Sequence, residues 1–287
     1  MSEADIQIIH EREALRRGLA GTSGRVGVVL IQGPLHYRHL ANITEAASQC
    51  EVVIAAALAG RDKANYLAAP EALDRPVEAE AQHIGKAGAT YYFVPSVDDM
   101  YPYGAPALGV STQGMPQLER TSVFTEEYFS GVIQFYAKLF SITGASDVYV
   151  SQKDLHELAG VRQFVRDFDV DIEVHPVMVP RDPDGLASDV VNHELDATQR
   201  EQALAISKAL YKGVQVAAAT GSAQAVVDST RAVLEEAEGV EIIEVALLDP
   251  LTLAPATVER GTATLLVLAR VGGYVLSDNM LVVLRRL

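Results

Sequence analysis

Between residues 25 and 177 the chain repeatedly exchanges short, wholly apolar runs for longer stretches with helical spacing. No single motif restricts the fold as much as this alternation. Residues 25–31 (Arg-Val-Gly-Val-Val-Leu-Ile) read as a buried strand ending in a Gly-Pro turn. Residues 39–50 follow with Leu40, Ile43 and Ala47 on one helical face. Residues 51–58 form a second apolar run, and 90–94, 147–150 and 171–177 are further short strand candidates. Helical patterns cover 126–140 and 154–168. Strands buried on both faces and alternating with helices predict a parallel sheet covered on both sides.

Two segments interrupt the pattern. Residues 95–117 are rich in Pro, Gly and Tyr and read as a long ordered loop. Residues 180–185 (Pro-Arg-Asp-Pro-Asp-Gly) form a turn-rich boundary. Beyond it, helices are expected over 197–213 and 222–239, and strands over 240–246, 263–269 and 281–283. The expected fold class is therefore α/β: a Rossmann-like parallel-sheet domain over residues 1–182 and a small α+β domain over 183–287.

Composition narrows the function classes. Of 287 residues, 23 are Lys or Arg and 38 are Asp or Glu, giving a net charge of −15. Such a surface argues against nucleic acid or an anionic membrane as the main partner, although a basic pocket for a nucleotide remains compatible. The longest apolar runs fall well short of the roughly 20 residues that a spanning helix needs. The lone cysteine, Cys50, has no intrachain partner and reads as a buried structural thiol of a reducing, cytoplasmic compartment.

Three motifs carry possible chemistry. In Gly33-Pro34-Leu35-His36-Tyr37-Arg38-His39, two histidines three residues apart open a helix just after the first strong strand. Helix starts attract anions, and an imidazolium there could stabilise a phosphate in transit. Taken alone, the pair reads more readily as one surface and one packed histidine. In Ser151-Gln152-Lys153-Asp154, a lysine at a strand-to-helix turn can reach a phosphate, and its neighbouring carboxylate can hold Mg²⁺ or a ribose hydroxyl. A solvated ion pair with Asp154 as helix cap is the equal alternative. Arg181-Asp182-Pro183-Asp184-Gly185-Leu186-Ala187 is a turn or an interdomain hinge.

In this order and spacing the motifs resemble the pantothenate synthetase (pantoate–β-alanine ligase) family. That family carries Pro-Thr-Met-Gly-Ala-Leu-His-x-Gly-His after the first strand, Gly-x-Lys-Asp-Tyr-Gln-Gln-Leu in mid-chain, and Arg-Glu-x-Asp-Gly-Leu-Ala-Met-Ser-Ser-Arg-Asn at the domain junction. Phe93-Val94-Pro95 with Met100-Tyr101-Pro102, Phe129-Ser130-Gly131-Val132 with Lys138-Leu139-Phe140, and Ala269-Arg270-Val271-Gly272 with Asp278-Asn279 match further family segments. The resemblance implies a nucleotide-binding domain with a C-terminal lid, usually a homodimer. It implies ATP, with Mg²⁺, as cofactor, and a small carboxylic acid and an amine such as β-alanine as substrates. A carboxylate attacks the ATP α-phosphate, and the amine then displaces AMP from the acyl adenylate.

Carried over by position, His36, His39 and Lys153 are the implied catalytic residues. They bind ATP together with Asp154 and Pro180, and Asp154 is also the implied Mg²⁺ ligand. The departures fall on ligand-facing positions. Arg38 replaces a glycine, Gln32 a methionine, and Tyr128 a histidine. The carboxylate pocket becomes Gln32, Arg61 and Glu157, the last two standing near or at glutamines. The phosphate clamp Ser-Ser-Arg becomes part of Ser188-Asp189-Val190-Val191, followed by the retained Asn192. Loss of one positioned oxyanion donor costs about 2.7–4 kcal/mol in a transition state. Two readings follow: an ATP-dependent ligase for pantoate or another acid, or an inactive homologue acting through a partner such as a complete paralogue.

Overall fold

The computed structural model describes residues 6–57, 75–104, 106–115, 126–256 and 261–284. They divide into two compact units, Met1–Val177 and Met178–Leu287.

The first unit is built on a six-stranded sheet, β1 (Gln7–Ile9), β2 (Val26–Ile31), β3 (Val52–Ala57), β4 (Tyr91–Phe93), β5 (Asp147–Ser151) and β6 (Glu173–Val177). Its spatial order is β1-β4-β3-β2-β5-β6, and every pairing is parallel. Helices α1 (Arg12–Leu19), α2 (Tyr37–Gln49), α3 (Val77–Lys86), α4 (Val97–Met100), α5 (Glu126–Thr143) and α6 (Leu155–Asp167) run between the strands. Alternate strand residues feed two cores. Val28, Leu30, Ile54, Phe93 and Val148 pack with Leu15 of α1, Phe135 and Leu139 of α5, and Leu158 of α6. Val29, Ile31, Val53, Tyr92 and Tyr149 pack with Ile43 of α2 and Ile84 of α3. All six residues of β2 are buried, as expected of a central strand covered on both faces.

The sheet explains where a ligand belongs. From β2 the chain moves to β3 and β4 on one side, and β5 and β6 lie on the other. The order therefore reverses between β2 and β5, and the crevice outside the carboxyl ends of such a strand pair is the general ligand position of open α/β sheets. The edge strands are unlike the centre: β1 has three residues, and β6 carries the exposed Pro176, which has no N–H to offer a further strand.

The second unit packs α7 (Ala197–Thr220) and α8 (Ala223–Glu235) on an antiparallel sheet ordered β7 (Val240–Leu248), β8 (Gly261–Val271), β9 (Tyr274–Leu284). Asp196 caps α7 by accepting from the Gln199 N–H at 2.8 Å, while the Gln199 side chain accepts from the Asp196 N–H at 3.0 Å. Gly221, at φ 63°, ends the helix in the left-handed conformation that glycine adopts without strain. Leu210, Val226 and Leu234 meet Leu265, Val267 and Leu276 in this unit's core.

The periodicity locates β2, β3, β5, α2, α5 and α6 to within a few residues. It misses β1, α1 and α3, and it shortens β8 and β9, whose polar ends follow from hairpin pairing rather than hydrophobicity. The loop expected over 95–117 contains the short α4, begun by the Ser96 side chain accepting from the Asp99 N–H. No helix among the described residues is long and apolar enough to cross a membrane.

Candidate active site at the switch point

Gln32 leaves the end of β2, His36 is the N-cap of α2, and His39 lies in the first turn of that helix. Across the switch point, Lys153 and Asp154 follow the end of β5, and Glu157 lies in the first turn of α6. These sequence-derived positions, and Arg38 with them, therefore gather at the carboxyl ends of β2 and β5. Arg61 lies outside the described residues.

The two histidines cap their own helix. The His36 N–H donates to His39 Nδ1 at 3.1 Å, and the Arg38 N–H donates to His36 Nδ1 over a long 3.5 Å. His39 is buried, and burial holds its pKa well below the ordinary value, with the charges of Arg38, His36 and Arg75 acting the same way. Burial therefore favours the neutral ring at His39 over the imidazolium that a helix start can hold. With Nδ1 accepting a backbone N–H, the ring proton lies on Nε2, which can donate to a phosphate oxygen.

Arg38 Nε lies 3.7 Å from Asp154 Oδ2, joining the starts of α2 and α6. Asp154 holds the N-cap position of α6 without a side-chain cap bond, so its carboxylate turns to the guanidinium instead. The arginine that replaces a glycine has thus swung onto an acid rather than across the helix start. The pair takes one oxygen of Asp154, at 3.7 Å, and leaves the side chain part-exposed beside the turn. The one group of potential metal ligands among the described residues is Asp147, Glu173 and His175. It lies at the opposite, amino end of β5 and β6, where Arg25 pairs with both Asp147 and Glu173.

Lys153 is half-buried, and its N–H donates to Ser151 Oγ at 3.2 Å, which fixes the turn before α6. Glu157 is 8% exposed. Gln32 Nε2 and the Tyr136 hydroxyl both reach its carboxyl, and the Tyr128 hydroxyl lies 2.6 Å from Gln32 Oε1. Burial, then the charge of Asp154, pushes the Glu157 carboxyl up to about 8 against the opposing effects of Tyr136, Arg38 and Gln32. Tyr136 is pushed well above its ordinary value by its own burial and by Glu157.

A second buried network was not visible in the sequence. Arg75 and Glu80 pair with side chains 3% and 7% exposed. Arg75 donates to Gly33 O at 2.8 Å, to Glu80 at 2.9 and 3.1 Å, and to the Tyr92 hydroxyl at 3.1 Å. Glu80 also accepts from the Leu35 N–H at 3.2 Å and from the Tyr92 hydroxyl. This pair anchors the Gly33–Leu35 turn that presents His36. The available signal was Glu80 itself, an acid on the same face of α3 as Val77, Ala81 and Ile84.

The remaining sequence-derived positions belong to the second unit. There the Pro180 carbonyl accepts from the Ser188 N–H at 2.9 Å, and Arg181 pairs with Asp278 at 2.8 Å. Gly185, at φ 92°, turns the chain so that Arg181 and Ala187 bridge. Ser188 is buried, Asp189 precedes a short 3₁₀ turn (Val190–His193), and Val191 packs on the unit's core. The Asn192 amide donates to Ala187 O at 2.8 Å, a structural role within this turn.

A family model described as pantoate-beta-alanine ligase matches residues 7–281. The chain belongs to the pantoate-beta-alanine ligase family. Among its relatives, the pantothenate synthetase of Mycolicibacterium vanbaalenii is 35% identical over 275 residues, covering 93% of this chain and 84% of that protein. The crystal structure of pantothenate synthetase from Thermus thermophilus superposes with a TM-score of 0.74 at 27% identity, covering 96% and 99% of the two chains. The pantoate-beta-alanine ligase of Francisella tularensis, complexed with beta-gamma ATP and beta-alanine, shares the fold at 21% identity and a TM-score of 0.66, covering 96% and 97%. Family membership makes the switch-point cluster the place to look for ligase chemistry.

Proposed function

We propose that the chain is an ATP-dependent, AMP-forming ligase that adenylates a small carboxylic acid and joins the acyl group to an amine such as β-alanine. The supporting observation is the gathering of His36, His39, Lys153 and the Gln32–Glu157 cluster at one switch point in a member of this family. The nucleotide and amine carried by the Francisella relative support the same pair of ligands. His39, neutral with its proton on Nε2, donates to phosphate without needing to titrate, and His36 holds that ring in place. Lys153 supplies charge at the turn before α6 for the polyphosphate, with Asp154 and Pro180 as further nucleotide contacts. An oxygen of the acid attacks the α-phosphorus as the bond to pyrophosphate breaks. The amine nitrogen then attacks the acyl carbon, AMP leaves with the bonding electrons, and the amine loses a proton. Mg²⁺ would arrive bound to ATP, with Asp154 as the carboxylate that would meet it. Ser188, Asp189, Val190 and Val191 in place of a hydroxyl-and-arginine clamp would slow the first step, and the altered Gln32–Glu157 pocket points to pantoate handled weakly or to a different acid.

The Arg38–Asp154 pair favours a second reading, an inactive homologue whose nucleotide site is closed by that bridge. Calorimetric titration of Mg²⁺-ATP into wild type and Lys153→Ala separates the two. Binding that the substitution abolishes, followed by acid-dependent ATP/pyrophosphate exchange across a panel of carboxylic acids, supports the ligase. Absence of binding and of exchange overturns it.

A further inference from the structure

The turn that delivers His36 has little of its own to hold it. Gly33 sits at φ 61°, Pro34 has no N–H, and among the described residues no backbone-to-backbone hydrogen bond involves Gly33, Pro34 or Leu35. A Cβ added at Gly33 would meet no heavy atom within 4 Å among those residues, so the turn is open on that side. The Gly33 carbonyl and the Leu35 N–H are met instead by one buried ion pair. Arg75 Nη1 donates to Gly33 O at 2.8 Å, and Glu80 Oε1 accepts from the Leu35 N–H at 3.2 Å. Arg75 Nη2 closes the ring by donating to the same Glu80 oxygen at 3.1 Å, and Nε donates to Glu80 Oε2 at 2.9 Å.

A pair buried this deeply is a poor device for stability alone. Desolvating both charges offsets their attraction, and an apolar pair of similar volume often does as well. What an apolar pair cannot do is fix a carbonyl and an N–H on either side of a proline. The consequence runs on along the chain. The residue after Leu35 is His36, and its N–H donates to His39 Nδ1 at 3.1 Å. Displacing the turn displaces that N–H, and with it the bond that orients the His39 ring and leaves its proton on Nε2. The charge of Arg75 also helps to hold His39 neutral.

We propose that Arg75 and Glu80 are positioning residues for the nucleotide histidines, acting through the Gly33–Leu35 turn on the hydrogen bond between His36 and His39. This rests on the ligase reading and deepens it: side chains in and just before α3 set the geometry in which His39 meets a phosphate. The site specifies arginine over lysine. The guanidinium uses all three nitrogens, and a single ammonium nitrogen cannot reach Gly33 O and both Glu80 oxygens together.

The first arm of the test needs no ligand. The nitrogen–nitrogen scalar coupling across the bond from the His36 N–H to His39 Nδ1 is measured by NMR in wild type, Arg75→Lys and Asp147→Asn. Arg75→Lys keeps a charge beside Glu80 but loses the fork. Asp147→Asn destabilises the same unit from the opposite end of the sheet and leaves the turn untouched. The coupling should be present in wild type and Asp147→Asn and lost in Arg75→Lys. The second arm is acid-dependent ATP/pyrophosphate exchange. In Arg75→Lys its kcat should fall about a hundredfold, as expected of a displaced reacting group, with KM for the acid little changed. Asp147→Asn should exchange like wild type. Should Arg75→Lys not fold, Arg75→Met combined with Glu80→Gln strands no charge, loses the Gly33 contact and carries the same expectations. A coupling that survives loss of the fork, or that wild type lacks, overturns the inference. So does a coupling that Asp147→Asn also loses, or one lost in Arg75→Lys with exchange unchanged. No exchange with any acid overturns the ligase reading and the kinetic expectation with it, while the coupling still decides the positioning.

Discussion

Replacing Arg75 with methionine should destabilise the first unit more than any other surface-remote charge change. The guanidinium donates to Gly33 O, to the Tyr92 hydroxyl and to both oxygens of Glu80. Methionine fills part of the volume but leaves Glu80, 6% exposed, with only the neutral Leu35 N–H and Tyr92 hydroxyl as donors among the described residues. Removing one member of a buried pair costs about 3–5 kcal/mol, because the remaining charge stays desolvated. For a unit of this size, 1 kcal/mol shifts the melting temperature by roughly 2–4 °C, so a fall of about 6–20 °C is expected. Differential scanning calorimetry or urea unfolding of Arg75→Met, Glu80→Gln and the double variant reads all of this. The double variant should be more stable than the sum of the single losses implies, since neither charge is then stranded. A single-variant loss below about 1 kcal/mol, or strict additivity, would refute the reasoning.

Three further outcomes are expected. Arg38→Gly removes the bridge to Asp154 and should tighten Mg²⁺-ATP binding about tenfold if the pair closes the site. Unchanged or weaker binding in calorimetry would show that Arg38 does not obstruct it. His39 has a folded-state pKa below its unfolded value, so wild type should lose stability as the pH falls below about 6.5, whereas His39→Gln should lose less over the same span in parallel melts. Asp147 is held down to about 2 by hydrogen bonds from Arg25, Ser146 and His175 against its burial. Its contribution is present above about pH 4 and lost as the pH falls towards 2 and below, so Asp147→Asn should cost about 2 kcal/mol at pH 7 and about a third of that at pH 2.5 in urea titrations.

The sheet was legible because its central strands are apolar on both faces. Val26–Ile31 and Val52–Ala57 could hardly be anything else. Gln7–Ile9 was illegible for the opposite reason: three residues in a charged segment become a strand only by pairing with Tyr91–Phe93. At the site, residue identities were legible but their partnerships were not. Arg38 with Asp154, Gln32 with Glu157, and Arg75 with Gly33 each join residues far apart in the chain, and no local spacing encodes them. Nor does the presence of His39 in a motif carry its charge state, which burial between α2 and the sheet decides.

The position of β1 has a consequence for how the chain is made. Among the described strands, this first one pairs only with β4, at the edge of the sheet, so its hydrogen-bonding partner emerges from the ribosome long after it does. Until Tyr91–Phe93 exist, Gln7–Ile9 have no register to adopt, and the β2–β3 pair must form without them. The amino-terminal strand is therefore the last piece of that flank to lock. In hydrogen exchange, its amides should be the first of the six-stranded sheet to open, well before those of β2.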